Sequence, residues 1–126
     1  MEPLSKWGSY NSLRIVNSII WNNPGLQVNY IRYGQVTLNN CVTEELGGVG
    51  NIQADPLFKN TANGNYHLQA GSPAIDTGMN PASVTWLNFP VVDDIEDTPR
   101  PLDGDGLGAG TTGDGSDFDI GAYEFK

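Results

Sequence analysis

The feature that most restricts what this chain can become is a repeat of 22 residues. Shifting the sequence by that interval places Val16-Asn17-Ser18-Ile19-Ile20 over Leu38-Asn39-Asn40-Cys41-Val42, with the same order of apolar, Asn, polar, apolar and apolar residues. The same shift lays Val28-Asn29-Tyr30 over Gly50-Asn51-Ile52. An interval of this length is one coil of a solenoid. In a parallel β coil stack, successive coils lie about 4.8 Å apart and equal side chains form ladders. The expectation is Asn17 over Asn39 and Ile19 over Cys41, with the asparagines bonding along the stack and at the bends. Short β-rich runs at 13–21, 28–33 and 35–43 are broken by Asn, Gly and Pro, and no run has a sustained helical period. The competing reading of a match seen in only two copies is an Asn- and Val-rich β-sandwich.

A stretch of 13–68 supplies about two and a half such coils, whereas a solenoid needs at least about three repeats and closed ends to bury a continuous core. Three remedies are open: residues 69–126 fold back as a cap, open ends meet in a homo-oligomer, or the chain is part of something longer. Cys41 is the only cysteine, so no internal disulfide can supply the missing stability. It is expected to act as a small core hydrophobe.

The formal charge is -9 across 126 residues. An acidic balance argues against nucleic acid and anionic membrane surfaces, which demand basic patches. No stretch approaches the roughly 18 apolar residues of a membrane span, so membrane insertion is not expected. The opening residues lack the basic start and apolar run of an export signal. Most of the charge is local. Nine acidic side chains in 93–119 face Arg100 alone, in a glycine-rich stretch that reads as loop.

Two motifs look like chain punctuation. In Gly71-Ser72-Pro73-Ala74-Ile75-Asp76-Thr77-Gly78, Ser72 suits an N-cap, Pro73 the first helical position and Gly78 a left-handed end. Asp76 is expected to be a hydrogen-bonding turn residue. In Asp55-Pro56-Leu57-Phe58, Asp55 is the cap and Leu57 and Phe58 are core anchors.

The order of these motifs, from Asn17-Ser18-Ile19-Ile20-Trp21-Asn22-Asn23 through Gly50-Asn51-Ile52-Gln53-Ala54-Asp55-Pro56-Leu57-Phe58 and Tyr66-His67-Leu68-Gln69-Ala70-Gly71-Ser72-Pro73-Ala74-Ile75-Asp76-Thr77-Gly78 to Arg100-Pro101 and Asp119-Ile120-Gly121-Ala122-Tyr123-Glu124, resembles the C-terminal end of bacterial right-handed parallel β-helix repeat proteins of the choice-of-anchor type. The resemblance runs over roughly residues 13–125. It implies a β-helix architecture and an exported or surface-attached setting, and it names no activity. The wider class includes polysaccharide lyases, glycoside hydrolases and adhesins. Many coils usually precede this segment and a sorting tail often follows it; neither is in this chain.

A glycosidase needs two carboxyl groups about 5–9 Å apart across the scissile bond. Residues 13–43 hold no Asp or Glu, and Arg14 and Arg32 stack at the repeat interval over Val36 and Ala54 rather than over an acid. The enzymatic alternative must therefore use the acidic loop, for instance Asp97 and Asp119, themselves 22 apart. His67, the single histidine, has no nucleophile motif to serve and is expected to be structural. Asp103-Gly104-Asp105-Gly106 offers alternating hard oxygen ligands, so a calcium site would draw on Asp103, Asp105, Asp114, Asp117 and Asp119. The alternative is a solvated acidic surface with Arg100 pairing one carboxylate. Trp7, Tyr10, Trp86 and Phe89 lie outside the repeat, where they are expected to cover the ends of the core.

The sequence thus predicts an all-β fold: a cover at 1–12, a short right-handed parallel β-helix at 13–68 and a loop-rich acidic cap at 69–126. The expected function is a non-catalytic structural or binding module that self-associates through its ends and takes a polysaccharide or a surface protein as partner. The alternative is a polysaccharide-cleaving enzyme or its remnant.

Overall fold

Two asparagines in left-handed backbone set the geometry. Asn17 and Asn40 have φ of 48° and 50°, a region that Asn tolerates better than other side chains bearing a Cβ. Each stands at a bend between two strands. The computed structural model describes residues 11–24, 34–44, 49–87, 90–104 and 117–126. Strand β1 (Asn11–Val16) leads into the bend at Asn17 and then β2 (Ile19–Ile20); β3 (Gly34–Asn39) leads into the bend at Asn40 and then β4 (Val42–Thr43).

Strands β1 and β3 pair in parallel, from Asn11 opposite Gly34 to Val16 opposite Asn39. Strands β2 and β4 do the same, with Ile19 opposite Val42 and Ile20 opposite Thr43. The ladder interval is therefore 23 and not the 22 read from the pattern. Asn17 stacks on Asn40 rather than Asn39, Ile19 on Val42 rather than Cys41, and Arg14 faces Thr37 rather than Val36. The bends are tied by Asn17 N to Asn39 O and Val42 N to Ser18 O. A third, shorter rung follows at Ile52, which bridges Val42 in parallel and exchanges main-chain hydrogen bonds with Cys41 and Thr43. Asn51 locks it by accepting from Cys41 N at 3.0 Å and donating to Leu38 O at 2.8 Å. Positions 28–33 of the predicted repeat fall outside the described residues.

Among the described residues, parallel pairing ends at Ile52. Residues 58–68, expected within the coils, instead form an antiparallel hairpin of β5 (Phe58–Asn60) and β6 (Asn65–Leu68). A 3-10 turn joins them, with the Asn60 side chain accepting from Asn63 N and Gly64 left-handed at φ 73°. The Ser72 segment is a tight turn rather than a helix. Ser72 Oγ accepts from Ala74 N and donates to Pro56 O at 2.6 Å, so it closes the turn and ties it to the preceding motif. The left-handed residues there are Gly71, at φ 86°, and Asp76, at φ 54°, and not Gly78. Gly78 is needed for another reason: a Cβ at that position would lie 2.7 Å from the Phe118 carbonyl oxygen.

Val42, Leu68, Ala74, Ile75 and Ile120 form the buried core, with Ile19, Trp21, Ile52, Phe58 and Phe125 packed against it. Coil, hairpin, turn and C-terminal segment each contribute at least one side chain. Cys41 is fully buried and unpaired, its Sγ directed at the Ile15 and Asn39 carbonyls. Trp86 lies away from that core, 42% exposed, with the Arg14 guanidinium 4.7 Å above its ring. Trp7, Tyr10 and Phe89 lie outside the described residues. No helix among the described residues is long and apolar enough to cross a membrane.

The asparagine side chains face the returning chain and do not bond along the stack. Asn17 accepts from Met79 N at 2.8 Å and donates to Met79 O at 2.6 Å, and Asn40 donates to Thr77 O at 3.3 Å. Substituting Asn17 by Ala removes both bonds to Met79 and places a Cβ residue without a polar side chain in left-handed backbone. Stability is expected to fall by about 2 kcal/mol or more, against about 1 kcal/mol for Asn22→Ala, which shares the φ but is exposed. Urea unfolding midpoints of the two variants check the difference.

Candidate functional site

Two places stand out as candidate sites. The first is a buried acidic cluster. Asp119 is fully buried; its Oδ1 accepts from Asp76 N at 2.7 Å and its Oδ2 from Phe125 N at 2.6 Å. Asp76, also buried, accepts from Gly104 N at 3.1 Å. Asp94 accepts three amides, those of Glu96 and Thr98 on Oδ1 and that of Glu124 on Oδ2. Each carboxylate replaces a missing strand partner for main-chain N–H groups, which are costly to bury unbonded.

Glu124 completes the cluster. Its side chain has no exposure, and Oε1 lies 2.8 Å from Nε of Arg100, which is 10% exposed. The Nε hydrogen is not aimed at that oxygen, and Glu124 Oε2 has no hydrogen-bond partner among the described residues. Arg100 also donates through Nη2 to Gly121 O at 2.6 Å. The single cation in the acidic stretch thus pairs with an acid beyond it.

Burial pushes the Asp119 carboxyl up to about 6. Burial, with the negative charge of Asp119 adding to it, pushes Glu124 up to about 8 against the opposing field of Arg100. The two titrate as a pair. Because the amides of Asp76 and Phe125 stabilise charge on Asp119, the proton that the pair retains sits on Glu124. For Asp94 burial alone would raise the pKa, but the amides of Glu124, Thr98 and Glu96 outweigh it and hold the carboxyl below its ordinary 3.8.

The second place is a cleft of about 430 Å³ where the first coil, the hairpin and the C-terminal segment meet. Ser18, Ile19, Phe58, Tyr66, Leu68 and Tyr123 are among its lining residues. Tyr66 is 49% exposed and meets Phe58 edge-on, with ring centroids 5.2 Å apart. Tyr123 stacks on His67 at 4.0 Å. His67 is fixed from both sides, Nδ1 lying 2.7 Å from Asn65 Oδ1 and Nε2 3.0 Å from Glu96 Oε2. The lone histidine braces an aromatic ring.

Of the sequence-derived site residues, Asp97 is exposed at a left-handed turn position, φ 59°, while Asp119 has no exposed surface. Asp103 is exposed and Asp117 half-buried, and Asp105 and Asp114 lie outside the described residues. Among the described residues no three His, Cys, Asp or Glu side chains are arranged to hold a metal ion. Sequence reasoning singled out neither Tyr66 and Tyr123 as a pair nor Asp94 and Glu124 as anchors. Their only signal was membership of the Tyr66-His67-Leu68 and Ala122-Tyr123-Glu124 motifs.

No family model, curated protein or solved structure matches this chain. The site is therefore read from its own geometry.

Since the folded pKa values of Asp119 and Glu124 lie above the ordinary 3.8 and 4.5, the folded protein holds more protons than the unfolded chain from that range up to about pH 8. Stability is expected to fall as pH rises through this window. Asp94 acts in the opposite sense and withdraws stability as pH falls below 3.8. Thermal midpoints measured from pH 4 to 9 check the trend, and Glu124→Gln, which cannot ionise, is expected to flatten its alkaline arm.

Proposed function

We propose that the chain is a non-catalytic structural and binding module: a short stack of right-handed parallel β coils closed by a polar-pinned cap, which self-associates through its ends. The observation that carries this reading is how the buried carboxylates are used. Asp76, Asp94 and Asp119 hold main-chain amides, and Glu124 holds Arg100. Such groups are committed to the fold, whereas a glycosidic acid and nucleophile must face the substrate from either side of the bond. The 23-residue parallel register, the same in two successive strand pairs, supports the coil architecture, because parallel strands need a long crossover and a constant interval between paired positions is how stacked coils repeat.

Polysaccharides and surface proteins are the partners this reading admits, and calcium binding by the acidic loop belongs to it as an accessory. Native mass spectrometry, recorded with and without calcium, is expected to show a defined oligomer. Incubation with acidic and neutral polysaccharides is expected to release neither reducing ends nor unsaturated products. Turnover that disappears in Asp97→Asn would overturn the reading in favour of an enzyme, and a strict monomer would overturn self-association.

A further inference from the structure

We propose that the cleft between β6 and residues 120–123 is a subsite for a neutral pyranose-based oligosaccharide, with Tyr66 and Tyr123 as its stacking rings. The inference rests on reading the chain as a non-catalytic binding module and assigns that module a ligand class and a place.

The cleft, about 430 Å³, lies within the roughly 300–1,000 Å³ of small-molecule sites. That is the scale of a ligand of a few sugar units. Its two tyrosines are pre-positioned. Phe58 stands perpendicular to Tyr66 at 5.2 Å, and His67, itself clamped between Asn65 and Glu96, backs Tyr123 at 4.0 Å. Rings already immobilised cost little entropy on binding. Tyr66 is 49% exposed and Tyr123 half-buried, and a phenol hydroxyl can both donate to and accept from a ligand. A ring that is apolar on its face and polar at its tip suits a pyranose, which presents C–H groups on one side and hydroxyls around its rim.

Charge selects among saccharides. Glu96, with 45% of its side chain exposed, lies beside the cleft, bound to the histidine that backs Tyr123, and the whole chain carries -9. Uronates and other anionic sugars are repelled, and a neutral chain is not. The walls come from three segments distant in sequence, namely 17–19, 58–68 and 120–123, so the subsite exists only in the folded protein.

The test is titration calorimetry of the intact chain at pH 7 with neutral gluco-, xylo-, manno- and galacto-oligosaccharides, chitohexaose, and oligogalacturonate as the acidic control. At least one neutral oligosaccharide is expected to bind with a Kd of roughly 0.1–1 mM. Tyr66→Ala should weaken that binding at least about tenfold, and Tyr66→Phe, which keeps the ring, by no more than about threefold. Trp86→Ala, whose ring is exposed over Arg14 away from the cleft, should change nothing. Failure of every neutral saccharide at 10 mM, tighter binding of oligogalacturonate, or equal affinity in Tyr66→Ala and the parent overturns the proposal. Loss of the oligomer in Tyr66→Ala, seen by native mass spectrometry, overturns it too by assigning the cleft to a second copy. None of these results bears on the absence of turnover, which is measured separately.

Discussion

The bond between two asparagine side chains and one returning strand of backbone is what the rest of the structure depends on. Asn17 and Asn40 sit at equivalent corners of successive rungs, and both reach the segment 77–79. Their side chains fasten that segment across the paired strands. Asn suits the task on two counts, because it accepts left-handed backbone and because its amide both donates and accepts. At Asn17 both capacities are used on a single residue, Met79. The same segment holds Gly78, whose close approach to Phe118 O draws the C-terminal residues into the same contact.

The second layer of support is electrostatic, and it follows from how little regular structure the described residues of the C-terminal half have. With few ladders to satisfy main-chain donors, the chain uses carboxylates as local substitutes. Asp94 gathers amides from its own turn and from Glu124, and Asp119 links the Ser72 turn to Phe125. Concentrated acidity in 93–119 is thus partly internal. Burial, with the charge of Asp119 adding to it, raises the proton affinity of Glu124, and Arg100 offsets only part of that.

The parallel pairing of the first strands was legible in part. The Asn-flanked apolar pattern located both bends and the two parallel strand pairs, but it gave their interval one residue short. The doublet Asn39-Asn40 is the reason: either residue aligns with Asn17 by type, and only backbone conformation separates them, Asn40 being left-handed. A slip of one residue exchanges the faces of every side chain in a strand, which is why Cys41 was set beneath Ile19. The hairpin at 58–68 escaped notice because its turn, Thr61–Asn63 with Gly64, resembles the punctuation between coils. Contacts made across more than 40 residues, such as Asp76 with Asp119 or Asn17 with Met79, leave no periodic trace. The cleft is assembled from just such contacts, so its tyrosines carried no sequence signal as a pair.

The bond from Gly121 N to Asn17 O has a consequence for biosynthesis. The first bend is completed by a residue made about 100 positions later, and the cap that crosses both asparagine corners is itself anchored through Phe118 and Phe125. A contact of that span closes only after the chain between its ends has been made, so in order of synthesis the bend at Asn17 is completed late.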